Sequence, residues 1–138
     1  MVEIKEIENG FNGLFASKDI DVGKIILVLS GNYFNEPTRT SIQIGSRHLE
    51  HFEGGYINHH CEPSAEIVVN SREHAGQGTI EPLVLAKRDI MKGEEVTFDY
   101  MTTEEVMSEP FNCKCHGTLI EGWNEHEVYK MKKSFYMG

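Results

Sequence analysis

The chain has 138 residues, the length of one domain that buries about two-thirds of its unfolded surface. Apolar residues make up 39% and charged residues 25%, which is typical of globular proteins and disfavours disorder, collagen-like repeats and coiled coil. Thirteen Lys and Arg against 22 Asp and Glu give a formal charge of -9, which argues against direct nucleic-acid binding and fits either a basic partner or ordinary solubility.

The N-terminus, MVEIKEIENG, carries acidic residues where a secretory signal would have a basic end followed by an apolar run. No stretch of the sequence approaches the roughly 18 apolar residues of a membrane span. We therefore expect an intracellular protein, cytoplasmic or nuclear, with reduced cysteines and no membrane association.

Five apolar segments bounded by Gly, Pro, Asn or Ser predict short strands, in chain order 24–30, 40–45, 65–70, 80–86 and 95–100. Pro82 in the fourth segment cannot donate a ladder hydrogen bond, so we expect that end at a sheet edge. Residues 103–107 predict a short helical turn capped by Thr103. Residues 124–138 predict a helix, with Asn124 as its cap and an apolar face of Val128, Met131 and Phe135.

One internal similarity comes from the residues alone. The segment FASKDIDVGKII matches LAKRDIMKGEEV, so that Ala16, Asp19, Ile20 and Gly23 align with Ala86, Asp89, Ile90 and Gly93. In each copy a strand ends, a short turn holds an Asp and a Gly, and another strand begins. The Gly is expected to supply a positive φ that other residues resist. The sequence therefore predicts a mostly β architecture built from short hairpins.

Three polar clusters could carry chemistry. YINHHCEP, residues 56–63, is a loop rich in hydrogen-bonding groups, or simply a satisfied turn with surface histidines. GEEVTFDY ends in Asp99 and Tyr100 at a strand edge, where a Tyr is commonly a half-buried amphipathic residue. In FNCKCHG, the two cysteines are too close for an ordinary disulfide and suit a shared soft metal, although they could also pack as small apolar residues.

Taken together, these clusters carry a family resemblance. NHHCEPSAE, followed about thirty-five residues later by GEEVTFDY and then by FNCKC, resembles the SET-domain family of protein lysine methyltransferases, which use S-adenosylmethionine. GLFASKDIDVGKII resembles that family's opening hairpin, so the resemblance covers residues 10–123. IQIGSRHLE and TTEEVMSEPFNC are similar to compact, stand-alone members of bacterial or viral type.

The resemblance implies the SET-domain (β-clip) fold, made of short strands and hairpins with a C-terminal pseudoknot and a short C-terminal helix. It divides the chain into a SET-domain core at 1–101, a post-SET-like segment at 102–123 and a helix at 124–138 that packs on or beside the core. Only 26 residues separate Gly31 from Asn58, so the insert that builds one wall of the substrate groove in larger relatives is nearly absent. A homodimer would cover the apolar surface exposed there.

The resemblance also implies site residues. Tyr100 matches the catalytic tyrosine beside the transferred methyl group, and the cofactor-binding matches are Asn58, His59, Gly13, Leu14, Tyr56 and Phe111. Because the ordinary pKa of a tyrosine is about 10, Tyr100 is expected to orient and polarise rather than to accept a proton.

Some positions depart from the family pattern. Phe11 stands where the opening motif has its first Gly, and Leu29 stands where many histone-directed members have a Tyr. The family's zinc-binding extension has a third Cys at the place of Ile120. Zinc would then have Cys61, Cys113 and Cys115 as ligands, with His116 or His126 completing the set.

The function that follows is methyl transfer from S-adenosylmethionine to the side-chain amine of a lysine in a histone-like or other basic protein. One alternative is an inactive SET-like module that binds a basic peptide. A further alternative is a zinc-stapled protein that serves in assembly.

Overall fold

The computed structural model describes residues 1–69, 81–104, 107 and 110–122, and within these ranges the chain is mostly β, as predicted. The strands are β1 Val2–Glu8, β2 Phe11–Ala16, β3 Ile25–Val28, β4 Asn32–Phe34, β5 Ile42–Ile44, β6 Arg47–Glu50, β7 Asn58–His59, β8 Ala65–Val68, β9 Leu83–Ala86, β10 Glu95–Phe98, β11 Phe111–Asn112 and β12 Leu119–Ile120. Two 3₁₀ turns cover Gly54–Tyr56 and Tyr100–Thr102. In this part of the chain no helix is long and apolar enough to cross a membrane.

The strands form small sheets. Their orders are β1-β2-β10-β7, β3-β9-β8, β4-β6-β5 and β11-β12. Each of the five predicted segments contains a strand. The first strand, VEIKEIE, was missed because its charged residues hide an alternation in which Val2 and Ile4 pack on the core and their neighbours face outward.

The prediction that Pro82 lies at a sheet edge is wrong, because β9 is the central strand of its sheet. Pro82 fits here because it lies just before Leu83, the first residue of the strand. Its missing N–H therefore removes no hydrogen bond from the sheet. Its carbonyl is used instead, accepting the Leu29 N–H at 2.8 Å.

The two similar segments of the sequence bind each other. Ile20 and Ile90 form an antiparallel bridge in which each N–H donates to the other's carbonyl, at 2.7 and 2.8 Å. Asp19 and Asp89 each accept a backbone N–H from the opposite segment, both at 2.8 Å. The repeat is therefore a reciprocal clasp between two crossover loops.

The glycines complete the clasp. The Gly23 N–H donates to the Ala86 carbonyl and the Gly93 N–H to the Ala16 carbonyl, both at 2.8 Å. Both glycines have the predicted positive φ, +85° and +92°. The left-handed conformation of each glycine points its N–H at the last residue of the strand that precedes the other segment.

Strand β10 is buried on both sides and organises the core. It pairs antiparallel with β2 through Val96 and Leu14, and parallel with β7 through Thr97 and Asn58. The fully buried side chains around it include Leu14, Leu29, Leu49, Ile57, Val84, Ile90 and Val96. The parallel pair joins segments that are far apart in the chain, as the expected pseudoknot requires.

A 3₁₀ turn that the sequence did not predict follows β10. It covers Tyr100–Thr102, and Asp99 is its cap, accepting the Met101 N–H on Oδ1 at 3.0 Å. An Asp that ends a strand can reach the N–H two residues on, and this local bond sets the turn. Residues 105–106 and the predicted helix at 124–138 lie outside the described residues.

Gly93→Ala tests the clasp. A Cβ at this position would meet no atom within 4 Å, so the substitution adds backbone strain at φ +92° and nothing else. We expect the free energy of unfolding to fall by about 1–2 kcal/mol in urea denaturation. Lys92→Ala, on an exposed neighbour, is the control and should change it by less than about 0.5 kcal/mol. Equal stability of the two variants would contradict a conformational role for Gly93.

Candidate active site

A cleft of about 730 Å³ opens beside the parallel β7–β10 crossing. This volume lies within the range of small-molecule and cofactor sites. Five of the predicted site residues line it: Tyr56, Asn58, His59, Tyr100 and Phe111. Residues from three separate parts of the sequence therefore meet at one cavity.

Gly13 and Leu14 are placed differently from the other predicted residues. Neither lines the cleft; Leu14 is fully buried in the core, and residues 10–12 line the cleft in their place. A Cβ at Gly13 would lie 2.8 Å from Glu95 Oε2 and 3.1 Å from Asn58 Nδ2. A glycine is thus needed there for strand packing, and contact of Gly13 and Leu14 with a cofactor stays a prediction.

Asn58 joins three strands beneath the cleft. Its Nδ2 donates to the Asn12 carbonyl at 3.0 Å and to Glu95 Oε2 at 2.8 Å. Both amide hydrogens are thereby used within the protein. Oδ1 is the polar atom of this side chain that remains for a ligand, as far as the described residues show.

Tyr100 is held at both its backbone and its hydroxyl. The hydroxyl donates to the Ile57 carbonyl at 2.6 Å, and the backbone N–H donates to His59 Nδ1 at 3.1 Å. Burial, followed by the nearby carboxylates Glu104 and Glu95, raises the pKa of Tyr100 well above its ordinary value. The phenol is therefore neutral at physiological pH. Its oxygen can point a lone pair at a ligand, but it is not a base that would remove a proton.

Aromatic rings form one wall of the cleft. The Phe111 ring centroid lies 6.0 Å from those of His59 and Tyr100, both in edge-to-face geometry, and Phe98 lies 4.9 Å from Tyr100. Phe111 is partly exposed, so it presents an apolar surface to the cavity. A planar heteroaromatic group could pack against this wall.

The three cysteines of the chain lie together beside His59. His59 Nε2 and the sulfurs of Cys61, Cys113 and Cys115 all lie within 4.8 Å of one another. The distance from His59 Nε2 to Cys61 Sγ is 3.3 Å, and from Cys61 Sγ to Cys113 Sγ it is 3.7 Å. Tetrahedral zinc with bonds of about 2.3 Å holds neighbouring sulfurs about 3.8 Å apart, so the donor set and its spacing fit zinc.

Among the described residues, the histidine that lies with the three cysteines is His59, whereas the sequence predicted His116 or His126. His116 Nε2 lies 3.8 Å from Glu62 Oε1 on an exposed side chain, and His126 lies outside the described residues. The pattern could have been found, since alternate residues of an extended segment, here His59 and Cys61, point to one side. Ile120, at the place of the family's third Cys, is buried against Cys113.

The cysteines differ in their electrostatics. Burial raises the pKa of the Cys61 thiol, and its contacts with Cys115 and Cys113 raise it further. Burial also opposes ionisation of Cys113, but backbone N–H groups of His116 and Thr118 donate to its sulfur at 3.4 and 3.3 Å and lower its pKa. Neighbouring thiolates repel each other, so full ionisation of the cluster requires a cation.

Sequence reasoning missed Glu104. It is only 5% exposed, and its Oε2 accepts the Gln43 N–H at 2.7 Å and the Thr103 hydroxyl at 2.8 Å. Burial raises the pKa of this carboxyl, with the two hydrogen bonds opposing the shift. No local sequence signal marks Glu104, because its environment comes from residues 61 positions away.

The fold and this cleft define a class of protein: a mostly β domain in which a parallel strand crossing sets an Asn-His pair beside an Asp-Tyr pair. The sequence profile of the SET domain matches residues 12–101, more than half of the chain, and the chain belongs to this family.

Several relatives are similar to this chain in sequence. The chain is 30% identical over 119 residues to a histone-lysine N-methyltransferase, H3 lysine-36 specific, of Candida albicans, covering 72% of this chain and 14% of that protein. A counterpart in Yarrowia lipolytica is 30% identical over 138 residues, covering 83% and 17%. The chain thus spans less than a fifth of these relatives. Methyltransferase flvH of Aspergillus flavus is 40% identical over 60 residues, covering 44% of this chain and 29% of that protein.

The fold is shared with solved structures. One of them is the crystal structure of a Plasmodium falciparum protein described as a candidate histone methyltransferase, with a TM-score of 0.54 and 22% identity. The match covers 72% of this chain and 96% of that chain.

Glu104→Gln should change how stability depends on pH. The pKa of Glu104 is raised in the folded state, so its contribution to stability is complete below about pH 4.5 and is lost as the pH rises through the folded-state pKa. Gln does not titrate. In urea denaturation, the variant should therefore gain stability relative to the wild type as the pH rises from 4.5 toward neutral. The exposed Glu66→Gln is the control, and parallel pH profiles for Glu104→Gln and wild type would contradict the burial effect.

Proposed function

We propose that this protein is an S-adenosylmethionine-dependent methyltransferase that acts on the side-chain amine of a lysine in a basic, histone-like protein. The observation that carries the proposal is the position of Tyr100. Its side chain lines the large cleft and also a second, narrow cavity that extends to Glu104. A methyl donor in the one and an amine in the other would meet at the Tyr100 hydroxyl.

The cleft fits the proposed cofactor in size and in chemistry. Its volume of about 730 Å³ suits a nucleoside-sized ligand, and Phe111 offers a face to an adenine ring. Residues 10–12 bring backbone groups to the cleft, and Asn58 Oδ1 is an acceptor for an amino group. When bound, S-adenosylmethionine supplies a methyl group on a positively charged sulfur.

The chain's own residues supply alignment and polarity. The Tyr100 hydroxyl donates a hydrogen bond to the Ile57 carbonyl at 2.6 Å, which fixes the direction of the oxygen lone pairs. When Nδ1 of His59 carries no proton, it accepts the Tyr100 backbone N–H, and this bond helps to fix the backbone that carries the ring. A fixed neutral oxygen stabilises developing positive charge without competing for the methyl group, and alignment of the reactants lowers the barrier further.

The proposal extends to the partner. The charge of -9 would attract a Lys-rich segment, and two of the relatives named above are histone-lysine methyltransferases. Leu29, at the position where many members have a Tyr, is fully buried in the core and adds no hydroxyl. An intracellular site of action, the absence of direct nucleic-acid or membrane contact, and a homodimer are further parts of this proposal.

We propose in addition that zinc is held by His59, Cys61, Cys113 and Cys115. Its role would be structural, since the ion would join the segment around β11 and β12 to β7. Metal binding through Nε2 leaves the proton of His59 on Nδ1, where Asp99 Oδ1 at 3.5 Å is the acceptor within reach. Protonated Nδ1 could no longer accept the Tyr100 N–H, so bound zinc would replace that hydrogen bond with one from His59 to Asp99.

Tyr100→Phe tests the enzyme. With tritiated S-adenosylmethionine and purified core histones, we expect kcat to fall about 10²-fold because the fixed oxygen is lost, while the cofactor Kd stays unchanged. Tyr33→Phe, on β4 away from the cleft, is the matched control and should keep wild-type turnover.

Two results would contradict the proposal. Absence of cofactor binding at millimolar concentration in calorimetry rules out the enzyme. Cofactor binding by the wild type without transfer to histones favours the peptide-binding module.

Zinc content tests the metal site. The purified wild-type chain should carry about one zinc per chain by elemental analysis, and Cys113→Ser should lose it because a three-ligand structural site binds weakly. His59→Ala should also lose zinc, whereas His116→Ala, on the neighbouring exposed imidazole, should retain it. Zinc retained in His59→Ala but lost in His116→Ala would refute the ligand assignment.

A further inference from the structure

A narrow cavity of about 20 Å³ lies behind Tyr100. Five residues line both this cavity and the large cleft, so the two share part of their walls: Arg39, Thr40, Gly55, Tyr100 and Met107. Glu104 lines the narrow cavity and not the cleft. The volume is that of one water-sized group, which is also the size of an ammonium head.

We propose that Glu104 is the residue that receives the acceptor amine, binding its ammonium form in the narrow cavity and taking its proton before methyl transfer. This inference rests on the proposed function. It adds to it a proton acceptor and a reason for selecting a cationic amine.

The surroundings of Glu104 favour a cationic ligand. Ile42, Ile57 and Phe98 make part of the cavity wall apolar, and Glu104 itself is buried, so its carboxylate is costly unless it has a partner. Both hydrogen bonds to Glu104 come from neutral donors and end on Oε2. Among the described residues, Oε1 has no hydrogen-bond donor, so it is the oxygen available to an entering ammonium group.

The other titratable residues of the cavity are unsuited to take the proton. The described residues that line it include three titratable side chains, Arg39, Tyr100 and Glu104. A guanidinium is already protonated, and the raised pKa of Tyr100 makes its phenolate inaccessible at neutral pH. Burial raises the pKa of the Glu104 carboxyl, which brings this pKa closer to the value suited to a proton acceptor at neutral pH.

The proposed step balances. The ammonium gives one proton to a Glu104 oxygen, which forms a neutral carboxylic acid and frees the nitrogen lone pair. The nitrogen forms the new N–C bond as the C–S bond breaks, and both electrons of that bond stay on sulfur. The methylated product leaves as an ammonium ion, and the proton on Glu104 returns to solvent.

The test uses the full chain and n-butylamine, a mimic of the lysine side chain. In wild-type protein, carbon-detected NMR should show a saturable shift of the Glu104 side-chain carboxyl as n-butylamine is added, and n-butanol should produce none. Binding to Glu104→Gln should be at least about 10-fold weaker, and Glu104→Asp should restore part of it. Glu66→Gln, an exposed carboxylate, is the matched control and should bind like wild type.

Methyl transfer supplies the second readout. Glu104→Gln should lower kcat for core histones at least about 100-fold with an unchanged cofactor Kd. No n-butylamine shift at Glu104 in the wild type, or equal binding to wild type and Glu104→Gln, would overturn the inference. A Glu104-dependent shift in a wild-type protein that transfers no methyl group would support the amine site while rejecting the proposed function.

Discussion

The double pairing of β10 is the constraint on which the site depends. One edge of this strand pairs with β2 and the other with β7, and the β7 contact is parallel. A parallel pair cannot be closed by a hairpin, so it must be supported by the surrounding fold. Here it places Asn58 and His59 next to the residues that lead into Tyr100. Without that crossing, the two motifs would lie in unrelated loops.

The clasp between the repeated segments sets where β10 begins. Ile20 and Ile90 each donate a backbone hydrogen bond to the other shortly before β3 and β10 start. The Gly93 N–H donates to the carbonyl of Ala16, the last residue of β2. Loop segments usually vary more than strands, but these two are held by backbone bonds to each other. A shift of one residue would turn the side chains of β10 to the opposite face of the sheet and would displace Tyr100, which follows the strand. The internal repeat is thus the means by which the site is kept in register.

Charge in the site follows from burial. Burial and then the carboxylates of Glu104 and Glu95 raise the pKa of Tyr100, and each carboxylate accepts a hydrogen bond from a neutral donor, Gln43 or Asn58. Carboxylates beside a phenol create a negative potential, which suits both a sulfonium and an ammonium ligand. The same burial that keeps Tyr100 protonated makes Glu104 the stronger candidate for accepting a proton.

The sequence by itself determined the local features: the β character, the segments that hold β3, β9 and β10, the positive φ of Gly23 and Gly93, and the motifs around Asn58 and Tyr100. These depend on apolar runs, turn residues and short spacings, which neighbouring residues impose. Only the tertiary structure decided that His59 joins the three cysteines, that residues 10–12 rather than Gly13 line the cleft, and that Glu104 is buried behind Tyr100. Those contacts join positions tens of residues apart, because strand pairing, which no local pattern encodes, brings them together.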